Sequence, residues 1–266
     1  MLSDFHIHTQ FSGDSDAPVR DMIEKAILLG MKELCITDHH DYGVDSGDID
    51  FHLDFDSYWE TLPALREEYK NKITLRIGIE MGLLPGLGPY CREIAGRYPF
   101  DFIIGSTHFV DGMDPYYPAF FHGRDEGAAY EQYFHTLLEN VKSCGDFDVC
   151  GHIDYIIRYG PHKGQFYTYD SYSRYLEPLL SILAENGKGI ECNTCGLRYG
   201  LGQPNPHPDI LRRFRELGGE IVTVGSDAHD AKYLGSEFSR AEEILKSCGY
   251  RYYATYSQRK PVFHKL

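Results

Sequence analysis

The sequence is short of positive charge, of an even cysteine set and of long apolar runs. Lys and Arg number 26 against 40 Asp and Glu, a formal net charge of −14. A surface that acidic repels phosphate backbones, so no broad nucleic-acid groove is expected, although a local basic pocket stays open. No run of about 18 apolar residues occurs, so no transmembrane helix and no membrane partner are expected. The opening MLSDFHIHTQ places polar side chains where a secretory leader needs an apolar core, and the expected location is the cytoplasm. Seven cysteines, at 35, 91, 144, 150, 192, 195 and 248, are odd in number and scattered. Free thiols in a reducing compartment fit them better than a disulfide framework. Cys192 and Cys195 form a lone CxxC without a second pair and are read as packing. Internal repeats, low-complexity tracts and Ser/Pro-rich linkers are also missing, so residues 1–266 are taken as a single domain.

What is present suffices for a folded core: 42% of residues are hydrophobic and 14% aromatic. Short β-rich runs alternate with stretches of helical spacing. Strands are expected at 2–8, 33–37, 74–80, 102–108, 149–152, 189–193 and 221–225. Helices are expected at 18–30, 56–71, 89–97, 125–143, 170–186, 208–217 and 237–248. Pro18 and Gly30 punctuate the first helix, and Asp56 and Ser236 are candidate N-caps. Seven strand–helix units in series argue for an α/β fold with a parallel sheet, either doubly wound or closed as a TIM-like barrel. The doubly wound form calls for a Gly-rich phosphate loop after the first strand. His6 and His8 stand there instead, and polar residues end nearly every later strand, which is the barrel pattern.

His6 and His8 are i and i+2 on a strand, so both imidazoles point to one face and can grip one ion. Asp14 follows on the loop. His39 ends the second strand, Glu80 the third, His108 the fourth and His152 the fifth, while Asp227 and His229 follow the seventh. Each alone has an ordinary reading as a buried histidine or a helix cap. Six histidines and three carboxylates at equivalent strand ends are not required by folding, and together they point to a metal site. Imidazole and carboxylate without thiolate suit Zn, Fe or Mn. Nine ligands suit two or three divalent transition-metal ions with open positions, which implies catalysis. Arg158 and Arg198 lie on the loops leaving the fifth and sixth strands, where they can grip a phosphate. His40 is either a substrate contact or a partner that orients His39. The aromatic stretch 109–121 reads as a long loop where a lid would sit.

HIHTQFSGD, ITDH, GIE, GSTHF, GHID and GSDAH, in that order, resemble the motifs of the PHP (polymerase and histidinol phosphatase) superfamily. DFIIGSTHFVDG, GHIDYIIRYG and NTCGLRYGLGQPNPHPDIL resemble its monofunctional branch that acts on L-histidinol phosphate. The resemblance implies a distorted barrel of seven βα units and a trinuclear cluster. It implies one ion on His6, His8, Glu80 and Asp227, a second on Glu80, His108 and His152, and a third on Asp14, His39 and His229. It further implies a metal-dependent phosphomonoesterase that releases L-histidinol and phosphate in histidine biosynthesis. In that reading Glu80, Asp227 and His229 are catalytic, Arg158, Arg198 and His40 contact the substrate, and a hydroxide held between ions attacks phosphorus. The alternatives are a phosphoesterase acting on another ester, such as a nucleotide or short oligonucleotide, and a non-catalytic metal-stabilised module. The oligomeric state is left open.

Overall fold

The computed structural model describes residues 1–266 apart from Asp45, Ser46 and Asp48. At its centre is an eight-stranded sheet in which every pair is parallel. The strands are β1 (Ser3–Asp4), β2 (Glu33–Ile36), β3 (His39–His40), β4 (Thr74–Gly82), β5 (Phe102–Ser106), β6 (Val149–Cys150), β7 (Gly189–Asn193) and β8 (Val222–Gly225). Their order is β1-β2-β4-β5-β6-β7-β8, with β3 paired to β4. Both β2 and β3 run along β4, with Ile36 opposite Ile77 and His39 opposite Glu80. They are one stave interrupted at Thr37 and Asp38, so the barrel has the seven staves expected from the sequence.

The chain closes the sheet on itself. Phe5 N donates to Val224 O at 3.1 Å, His8 N to Ala228 O at 2.9 Å and Asp227 N to His6 O at 2.8 Å. Ile7 forms a parallel bridge with Ala228. A doubly wound sheet has two open edges and no such bonds between its first and last strands.

Helices follow the strands: α1 (Val19–Leu28), α2 (Phe55–Tyr69), α3 (Gly88–Arg97), α4 (Glu126–Ser143), α5 (Tyr169–Glu185), α6 (Cys195–Arg198), α7 (Pro208–Glu216) and α8 (Phe238–Ser247). Each of the longer ones buries an apolar stripe, as α4 does with Tyr130, Tyr133, Phe134, Leu137 and Leu138. Two caps differ from expectation. Asp54, not Asp56, caps α2, because its backbone is extended and its carboxylate accepts from Asp56 N and Ser57 N at 3.2 Å. Ser236 does not cap α8; the residue before the helix is Glu237 in a left-handed conformation, and Ser236 Oγ accepts from Arg198 instead. None of the helices among the described residues is long and apolar enough to cross a membrane.

Most of the strands are shorter than the apolar runs that encode them, although β4 runs on to Gly82 and β7 fills its run. At the C-terminal rim, backbone donors turn from the ladder to side chains: Ile7 N to Thr37 Oγ1 at 3.0 Å, and His152 N to Glu191 Oε2 at 3.0 Å. The opposite end is plugged by a hairpin that the sequence reading did not include, β9 (Tyr252–Ser257) and β10 (Lys260–Lys265). Tyr256 joins Phe5, Cys35, Phe102, Ile104 and Val149 in a buried cluster at the barrel floor. Arg259 Nε bonds Asp148 Oδ2 at 2.5 Å, and Gln258 N bonds Asp101 Oδ1 at 3.1 Å, which ties the hairpin turn to the starts of β5 and β6. With the floor filled by rings, polar chemistry is confined to the other rim.

Candidate metal centre and substrate cavity

All nine residues expected to ligate metals converge at the C-terminal rim. His6 and His8 follow β1, His39 is in β3, Glu80 in β4, His108 follows β5, His152 follows β6, and Asp227 and His229 follow β8. Glu80 is fully buried at the centre. Its Oε2 lies 3.1 Å from His6 Nε2, 3.5 Å from His8 Nε2 and 3.0 Å from His39 Nδ1. Its Oε1 lies 3.3 Å from His108 Nε2 and 2.9 Å from His152 Nε2, and accepts from Ser106 Oγ at 2.6 Å. Asp227 Oδ1 stands 3.5 Å from His8 Nε2 and 3.7 Å from His229 Nδ1. Asp14 Oδ2 stands 3.1 Å from His229 Nε2 and 3.7 Å from His39 Nε2.

The donor atoms suit cations. In His6–His8–Glu80, Glu80–His108–His152 and His8–His39–His229 the facing atoms lie within 4.8 Å of one another. Three of the rings are held from behind: His6 Nδ1 by Glu191 at 2.6 Å, His8 Nδ1 by Ser12 Oγ at 3.0 Å, His108 Nδ1 by Asp41 at 2.9 Å. Each therefore aims Nε2 inward. His6 Nε2, His8 Nε2, His39 Nδ1 and Glu80 Oε2 are buried with no hydrogen-bond partner. Such an atom costs about 1–3 kcal/mol, which cations held by these sets would offset. Burial, then the neighbouring His229 and His39, hold His8 well below the usual histidine range, so its ring is neutral with a lone pair to donate. Burial alone would raise the Glu80 carboxyl, but His6, His108 and His39 outweigh it and keep it ionised, well below its usual range. Asp227 is likewise ionised against its burial, through His6, His8 and Arg158.

Beside the cluster lies a cavity of about 490 Å³, walled by Arg158, Arg198, Asp114, Tyr116, Tyr159 and Tyr199 among others. Arg158 is buried. Its Nε donates to Asn205 Oδ1 at 2.6 Å and its Nη1 to Asp227 Oδ2 at 2.9 Å, while Nη2 has no partner. Arg198 is more fully engaged. Nη2 donates to Asp227 O at 3.0 Å and Nη1 to Ser226 O at 3.1 Å, with the guanidinium 4.5 Å over the Tyr233 ring. It holds the backbone of Asp227, which has a positive φ of 54°. From the segment 109–121, Phe109, Asp114, Tyr116 and Tyr117 line the cavity, while Phe120 and Phe121 are buried and Tyr116 and Tyr117 exposed.

His40 is placed elsewhere. Adjacent residues of a strand face opposite ways, so His40 turns away from the interior that His39 enters. Both its nitrogens are engaged, Nδ1 by Leu53 N at 3.1 Å and Nε2 by Tyr90 Oη at 2.7 Å. It is not among the residues that line the cavity. Cys192 and Cys195 are buried free thiols, and Cys195 Sγ accepts from Arg198 Nη2 at 3.0 Å.

The sequence reading missed Asp38, Asp41 and Glu191. Asp38 accepts from Thr9 N at 2.6 Å and from Ser12 Oγ at 2.8 Å. Glu191 was signalled by a charge inside the otherwise apolar run 189–192, and Asp41 by its i+2 spacing from His39.

A seven-staved barrel closed around a histidine–carboxylate cluster with metal-capable donor sets defines the class, a barrel protein with a candidate metal centre. The PHP domain profile matches residues 4–195, and the chain belongs to the PHP domain family. Within it, the chain is similar to the histidinol-phosphatase of Lactococcus lactis subsp. lactis, 31% identical over 97% of this chain and 95% of that one. It is 34% identical to a probable histidinol-phosphatase of Clostridium acetobutylicum, over 99% of this chain and 96% of the other. Among solved structures, the Lactococcus lactis histidinol phosphate phosphatase complexed with zinc, L-histidinol and phosphate matches with a TM-score of 0.88 and 29% identity, covering 98% of both chains.

Proposed function

We propose that the chain hydrolyses L-histidinol phosphate to L-histidinol and inorganic phosphate, a step of histidine biosynthesis. The observation that carries this reading is that eight of the nine expected ligands fall in metal-capable sets, with Asp14 3.1 Å from His229, beside a cavity with an unpartnered arginine nitrogen, in a chain similar over its whole length to histidinol-phosphatases. His6, His8, Glu80 and Asp227 would hold one divalent ion, Glu80, His108 and His152 a second, and Asp14, His39 and His229 a third, of zinc, iron or manganese. Bound there, such ions acidify a water and neutralise charge on phosphoryl oxygens.

The protein's own residues do the rest. Glu80, as an ionised carboxylate with both oxygens facing imidazoles, bridges the first two sets. Arg158 presents Nη2 to a phosphate oxygen while Nη1 keeps Asp227 in place. Arg198 adds fixed positive charge to the same wall and holds the Asp227 backbone. Asp227 and His229 close the site from β8, with His229 partly exposed at the cavity side. Asp114 and the tyrosines give the cavity an acidic, aromatic wall that suits a leaving group with an amine and an imidazole. His40, behind His39, has no part in substrate contact here.

The test is phosphate release from L-histidinol phosphate, nucleoside monophosphates and a short oligonucleotide, after reconstitution with Mn, Zn or Fe. The highest kcat/KM is expected for histidinol phosphate. A nucleotide or oligonucleotide turned over faster would overturn the substrate, and ion-loaded protein that releases phosphate from none of them would overturn the activity.

A further inference from the structure

Strand β7 is the one stave whose end, among the described residues, carries no candidate ligand. It carries two buried polar residues instead, Glu191 and Asn193, spaced i and i+2 and so facing the same way. Glu191 Oε1 lies 2.6 Å from His6 Nδ1. Glu191 Oε2 accepts from the His152 backbone N–H at 3.0 Å and from Asn193 Nδ2 at 3.2 Å. Asn193 Nδ2 also donates to Asp227 Oδ2 at 3.2 Å. Two side chains of one strand thus touch His6, His152 and Asp227, which come from three other staves and from both of the ion sets that share Glu80. Space has been left for them: on β8, beside Asn193, a Cβ at Gly225 would stand 2.6 Å from Glu191 Oε1 and would collide with His6 Cβ.

We infer that Glu191 and Asn193 are a positioning pair that sets the tautomer of His6 and couples the two ion sets. The inference rests on the reading of His6, His152 and Asp227 as metal ligands. An ionised carboxylate only accepts hydrogen bonds. Facing Glu191, His6 Nδ1 carries a ring proton, which leaves Nε2, beside Glu80 and Asp227, as the nitrogen an ion takes. On the far side of the same carboxylate, Oε2 fixes the backbone from which the His152 ring projects.

Glutamine at this position is not a neutral substitute. In one amide orientation its NH2 faces the His152 N–H and Asn193 Nδ2, both donors. In the other its oxygen accepts from both, and its NH2 faces His6 Nδ1. That nitrogen must then accept, and the ring proton moves to Nε2, the atom that points at Glu80. Only the second orientation satisfies every hydrogen bond, so Glu191→Gln places a proton on the ligating nitrogen of His6. His8 is held by Ser12, not by β7, and keeps its own tautomer.

The test uses the full chain stripped with chelator, Zn²⁺ alone as titrant, and 15N spectra of the histidine rings. Glu191→Gln is expected to weaken zinc binding about 10- to 100-fold. In spectra taken at a pH where the His6 ring is neutral, its signals should move from the Nδ1–H to the Nε2–H pattern while those of His8 stay. Parent-like affinity with an unmoved His6 pattern overturns the inference. Circular dichroism of the stripped protein checks the fold. If Glu191→Gln does not fold, Asn193→Ala removes the shared donor and is expected to lower zinc affinity with the His6 tautomer unchanged; parent-like affinity there overturns the pair. A parent chain that binds no zinc overturns the ligand reading and this inference with it, whereas a parent that binds zinc no better than Glu191→Gln overturns the inference alone.

Discussion

His40 is a neutral ring built into the wall behind the candidate ligands. Burial pushes its pKa down to about 4 from 6.5, ahead of the opposing pull of Asp41. Nδ1 accepts from Leu53 N, so the proton sits on Nε2 and is donated to Tyr90. The folded pKa is the lower one, and the sign follows. Above pH 6.5 the ring is neutral in both states. Between 6.5 and 4 the unfolded chain binds a proton that the folded chain refuses, so stability falls as pH falls through that window. The loss at the lower end is about 3 kcal/mol. In denaturant titrations with chelator present, the parent should lose more stability between pH 7 and 4.5 than His40→Asn does, by up to about that amount. Equal pH slopes would show that the ring is charged, or exposed, in the fold.

At the scale of elements, the barrel divides its two ends between packing and chemistry. The rim strands stop early because their last donors turn to Thr37 and Glu191, which hold the site. The floor is closed by the β9–β10 hairpin, whose Tyr256 packs 4.9 Å from Phe102, itself 5.6 Å from Phe5. Truncating a fully packed ring leaves a cavity that neighbouring strands cannot collapse into. Tyr256→Ala should therefore destabilise the chain by about 3–5 kcal/mol in urea unfolding. Zinc content per folded chain should be unchanged, since the cluster is at the other end of the strands. A cost below about 1 kcal/mol would remove the hairpin from the account of the floor.

Over the whole molecule, folding gathers six imidazoles and three carboxylates that an unfolded chain keeps apart. Several inward-facing atoms of that set have no protein partner. Ions that bind only the folded chain stabilise it by mass action, about 2.7 kcal/mol for a site at one hundred times its Kd. For a chain of this size each kcal/mol moves Tm by about 2–4 °C. Stripping the ions with chelator should lower Tm by several degrees, and added zinc should restore it in a concentration-dependent way. A Tm indifferent to chelator and zinc would contradict a metal centre at this rim.

The seven strand–helix units and the nine ligand candidates can be read along the chain. Both are local signals: strand ends are marked by a change of hydrophobic period, and i, i+2 spacing alone aims His6 with His8 and Asp227 with His229. The chain also points to the two arginines, since loop position is set by the strand that precedes. What stands behind each ligand is settled by the folded barrel. Glu191 and His6 are 185 positions apart, and Asp41 and His108 are 67 apart, so no window along the chain contains either pair. The fold separated Arg158, with a nitrogen left over for an anion, from Arg198, committed to the Asp227 backbone. It turned His40 away from the site because neighbouring strand residues face opposite sides. It also added the hairpin, whose turn at Gln258 and Arg259 takes positive φ without the Asn or Gly that would have announced it. Ligand type and spacing are properties of short segments, whereas the choice of partner for a buried polar atom depends on which segments closure of the barrel brings face to face.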